Sequence, residues 1–71
     1  MKPDLDKIMI QPIGRREMVT FRQWLQTQPE AWRAIETEAL SECLKRGWKV
    51  SVPNIQMIAR EIDAERNPKG W

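Results

Sequence analysis

The stretch 31–62, AWRAIETEALSECLKRGWKVSVPNIQMIAREI, decides the fold of this chain. Its first half places Trp32, Ile35, Ala39, Leu40, Cys43 and Leu44 at the i, i+3, i+4, i+7 spacing of one buried helix face. Acids fill the N-terminal half of that helix, and Lys45 and Arg46 close it, so both ends complement the helix dipole. Gly47 stands where a helix stops with positive φ, and Trp48 is placed to pack back on Cys43. In the second half, Ser51 caps a new helix and Pro53 is tolerated in its first turn. Val52, Ile55, Ile58, Ala59 and Ile62 form its apolar stripe, with Met57 beside it, and Val50 and Ile55 have staple spacing. Only 47–50 separate the two helices, which forces a compact corner.

Upstream, Thr20 and Gln23 have capping-box spacing, and Val19 and Trp24 that of a hydrophobic staple. These predict a short helix from Thr20 to about Thr27, with Phe21, Trp24 and Leu25 on its apolar face. Pro29 ends it by disfavouring helix at Gln28, and suits the first turn of the next helix. Thr27 and Glu30 repeat the capping-box spacing there. Before Val19, Pro3, Pro12 and Gly14 break the pattern. Ile8-Met9-Ile10 and Ile13 read as a short strand or as an extended, partly mobile arm that packs on the bundle, with 49–51 as a candidate for brief pairing. The expected fold is therefore all-α: a small three-helix bundle with a helix-turn-helix-like corner and a partly extended arm. Its expected organisation is an arm over 1–18, a helical domain over 19–66 and a tail over 67–71. Its core is expected around Trp24, Trp32, Ile35, Leu40, Leu44, Ile55, Ile58 and Ile62.

A chain of 71 residues has a marginal core, which favours oligomerisation or a partner. Cys43 is the only cysteine, so no disulfide forms within the chain, and a lone thiol fits a reducing compartment. With no His, a zinc site is not expected. No apolar run reaches the length of a membrane span or a signal peptide. A cytoplasmic protein with no cofactor is expected.

The net charge is +2, but 44–60 carry Lys45, Arg46, Lys49 and Arg60 with no acid. Catalysis has little to draw on. The chain has no His and no Tyr, Cys43 reads as a buried small hydrophobe, and the three glycines are separated. Glu38 and Glu42 share a helix face, read as solvated, with Glu42 and Arg46 spaced as an ion pair. An enzyme is not expected.

DNA binding is the coherent alternative. In a helix-turn-helix the second helix enters the major groove. Asn54 and Gln56 suit adenine and Arg60 suits guanine, while Lys45, Arg46 and Lys49 suit phosphates. Any surface helix carries such residues, so a plain solvated face stands beside this reading. The rival is a protein-binding module or an inhibitor of a host protein, alone or as a homodimer, using Trp71, Met57 or the arm. Four tryptophans are many for so small a core, and tryptophan is enriched at interface hot spots.

Phe21, Trp24, Pro29, Trp32, Gly47, Ser51, Ile55 and Arg60 follow the order of a pattern found in small uncharacterised phage- and prophage-encoded helical proteins. Over roughly 20–62 the chain resembles that class. The resemblance implies a mobile-element setting and a compact accessory or regulatory protein acting on double-stranded DNA or on a host or phage protein.

Overall fold

The computed structural model describes residues 3–67. Three helices, α1 (Phe21–Gln26), α2 (Glu30–Lys45) and α3 (Val52–Arg66), follow two short strands, β1 (Met9–Ile10) and β2 (Val19–Thr20). The protein is mostly helical, but the antiparallel β1–β2 pair means that it is not all-α.

The arm supplies the difference. Met9 pairs with Thr20 and Ile10 with Val19, so the expected pairing with 49–51 does not form. The connection between the strands folds back through a turn in which the Arg15 N–H donates to the Pro12 carbonyl. Gly14 takes φ 82° there, the value a type II turn requires at its third residue. Strand pairing brings Ile10 into the core with no exposed surface. It also serves α1. The Phe21 N–H donates to the Ile8 carbonyl at 2.8 Å and the Arg22 N–H to the Leu5 carbonyl at 3.1 Å. The Gln23 N–H donates to the Thr20 hydroxyl, and the Thr20 N–H donates to the Gln23 side-chain oxygen, completing the capping box. A six-residue helix is far too short to stand alone. Here its first three N–H groups all have partners outside its own ladder.

α2 starts at Glu30 with Pro29 as its N-cap and no side-chain cap. The expected Thr27 cap is absent because Thr27 closes α1 instead: its hydroxyl donates to the Trp24 carbonyl at 2.6 Å. Arg33 holds the link by donating to the carbonyls of Gln28 and Gln26. α3 starts as expected, with the Ser51 hydroxyl accepting from the Asn54 N–H.

Phe21, Trp24 and Leu25 of α1 pack with Ile35, Ala39, Leu40 and Cys43 of α2 and with Val52, Ile55, Ile58 and Ala59 of α3. Trp32 and Ile62 lie half-buried at the margin. Leu44, expected in the core, is 45% exposed. The buried face of α2 is rotated toward Glu36, which is only 2% exposed, and that rotation turns Leu44 outward. None of the described helices is long and apolar enough to cross a membrane.

Candidate nucleic-acid interface

The corner between α2 and α3 is closed by backbone geometry. The Trp48 N–H donates to the Cys43 carbonyl and the Gly47 N–H to the Leu44 carbonyl, each at 3.1 Å. With Gly47 at φ 72°, these two bonds make a Schellman stop. The Cys43 thiol, fully buried, points to the Trp48 and Lys49 carbonyls at 3.6 and 3.4 Å. Burial pushes its pKa up, and the nearby Arg46 charge opposes that rise. A buried thiol of raised pKa is a packing group rather than a nucleophile. The Asn54 side-chain N–H donates to the Lys49 carbonyl at 2.8 Å, tying the first turn of α3 to the corner.

The six residues read as DNA-contacting fall into two groups. Arg46 and Asn54 are engaged within the protein. Arg46 donates to Glu61 at 3.0 Å and to Glu42 at 3.2 Å, and both bonds raise its pKa. Its guanidinium carbon also lies 4.9 Å from the Trp48 ring centroid, at cation–π distance. Trp48, 39% exposed, is thus a platform for Arg46. Arg46 clamps α3 to α2, and Asn54 clamps α3 to the corner.

Lys45, Lys49 and Arg60 are exposed, and no ion pair holds them among the described residues. Gln56 is half-buried and Met57 is 49% exposed. Pro53, Gln56, Met57, Arg60, Glu61 and Ala64 line a shallow depression along α3. Trp71, the other residue read as a protein contact, lies outside the described residues.

Glu36 is the residue that sequence reasoning missed. In the sequence it is one of the acids in the N-terminal half of α2, yet its Oε1 atom is buried and has no hydrogen-bond partner. Burial raises its pKa from 4.5 to about 7. Its position carried a signal: it lies four residues after Trp32 and four before Leu40, inside the apolar stripe. Among the described residues no cluster of His, Cys, Asp and Glu is arranged to hold a metal ion.

No family model, curated protein or solved structure matches the chain.

Proposed function

We propose that this chain is a small regulatory protein of phage or bacterial origin that binds double-stranded DNA through its α2–α3 corner. In this reading the two helices act as a helix-turn-helix-like unit. The observation that supports it is the set of uncommitted cations, Lys45 and Lys49 at the corner and Arg60 along α3. Lys45 and Lys49 contact phosphates, and Gln56 and Arg60 face base edges from α3. Arg46 and Asn54 act indirectly, by fixing the angle at which α3 is presented.

The test is fluorescence anisotropy with a random-sequence duplex across a salt series. Two phosphate contacts give a slope of log affinity on log salt of about −1.8, a loss of roughly 12-fold between 50 and 200 mM salt. The double variant Lys49→Ala, Arg60→Ala is expected to bind weakly and to flatten the slope to about −0.9. Binding unchanged in that variant refutes the surface.

The exposed Met57 within its depression favours a second reading, a protein-binding module that pairs with a second copy in solution. It predicts no duplex binding at low salt and a molar mass by light scattering that rises with concentration.

A further inference from the structure

On the flank of α2 away from Glu38 and Glu42, the α1–α2 link, α2 and α3 line a half-open cavity of about 200 Å³. Pro29, Trp32 and Ala59 supply apolar walls, Gln56 and Gln28 supply amides, and the exposed Arg60 stands at the mouth. Glu36 reaches this cavity from α2. It is 2% exposed, and its Oε1 atom has no partner.

A buried carboxylate oxygen without a donor is costly, and native structures rarely leave one unmatched. The cavity is smaller than a site for a drug-sized ligand, so it suits a single side chain or ring. We propose that it binds the arginine side chain of a protein partner, with the guanidinium against Trp32 and donating to Glu36. The proposal does not depend on duplex binding.

Three features select arginine. The carboxylate is a pure acceptor when ionised, so its ligand must donate. None of the ion pairs among the described residues involves Glu36. A neutral nucleobase would leave that charge uncompensated, whereas a guanidinium neutralises it. The guanidinium is also planar and stacks on an indole, which an ammonium does not. Arg60 is the one charged residue besides Glu36 that lines the cavity. The link contributes only Gln28 and Pro29 there, and Arg33 is held by link carbonyls. Arg60 is exposed, so its repulsion of an incoming guanidinium is screened by salt.

The test is titration of the full chain with N-acetyl-Gly-Arg-Gly-amide, followed in ¹H–¹⁵N spectra. The same peptide with citrulline in place of arginine, and guanosine monophosphate, are run beside it. Saturable shifts at the Trp32 indole N–H and at Gln56 and Ala59 are expected with the arginine peptide alone. Arg60→Ala leaves that affinity unchanged or tighter, and Glu36→Gln abolishes it. Because the ligand needs the ionised acid, affinity at pH 5.5 is expected to be ~30-fold weaker than at pH 8. A ¹³C titration of the Glu36 carboxyl in the unmutated chain gives a readout that needs no variant: bound peptide lowers its pKa. Equal binding by the citrulline peptide, binding retained in Glu36→Gln, or an unmoved carboxyl titration overturns the proposal. So does binding of the nucleotide in place of the arginine peptide.

Discussion

Glu36→Gln is expected to stabilise the protein progressively as pH rises. The carboxyl titrates at 4.5 when unfolded and at about 7 when folded. Between those values the folded chain holds a proton that the unfolded chain has released. Stability therefore falls as pH climbs through that window and levels off above it. Linkage across pH 5 to 8 puts the loss at roughly 2.5 kcal/mol, a large fraction of the stability of a small domain. Glutamine keeps the shape and cannot ionise, so it escapes this loss. Urea denaturation of both proteins at pH 5 and pH 8 isolates the effect, since every other titrating group is common to the pair. The stability advantage of the variant should grow by about that amount, which at m near 1 kcal/mol/M moves the midpoint by ~2.5 M. An advantage that does not change with pH would show that Glu36 is solvated in the folded protein, and the cavity argument would fall with it.

Three further outcomes test the packing. Ile10→Ala is expected to cost ~2–5 kcal/mol in chemical denaturation, because Ile10 is fully buried through the β1–β2 pairing; a cost near zero would place the arm off the core. Gly47→Ala meets no atom within 4 Å but must hold φ at 72°, so a loss of ~1–2 kcal/mol from backbone strain alone is expected in thermal melts. Cys43 should react with an aromatic disulfide reagent only through opening of the fold; an opening free energy of about 3 kcal/mol slows it roughly 100-fold relative to the chain in urea.

Local chemistry was the legible part. Thr20 with Gln23, Ser51 and Gly47 each act within a few residues, and each does in the fold what its spacing requires. The Glu42–Arg46 pair formed for the same reason, since one helix turn brings the two together. Choices between distant partners were not legible. The sequence offered only 49–51 as a partner for 8–10, and a two-residue strand such as Val19–Thr20 carries too little pattern to be seen as the alternative. Thr27 stood at the end of one helix and the start of another, and its hydroxyl turned to the earlier one. At the proposed interface the spacing marked the cations. It did not show that Arg46 is held by Glu61, fifteen residues away. Leu44 faces outward and Glu36 inward because a modest rotation of α2 decides which edge of its stripe is buried, and periodicity defines the stripe more sharply than its edges.

The way α1 is capped links distant parts of the chain. Its first two donors are satisfied by Ile8 and Leu5, thirteen and seventeen residues upstream in sequence. That helix cannot fray or form on its own schedule: when the opening segment peels away, two amides lose their acceptors together. Solvent exchange at Phe21 and Arg22 should therefore keep time with exchange at Ile10, making those three amides one latch.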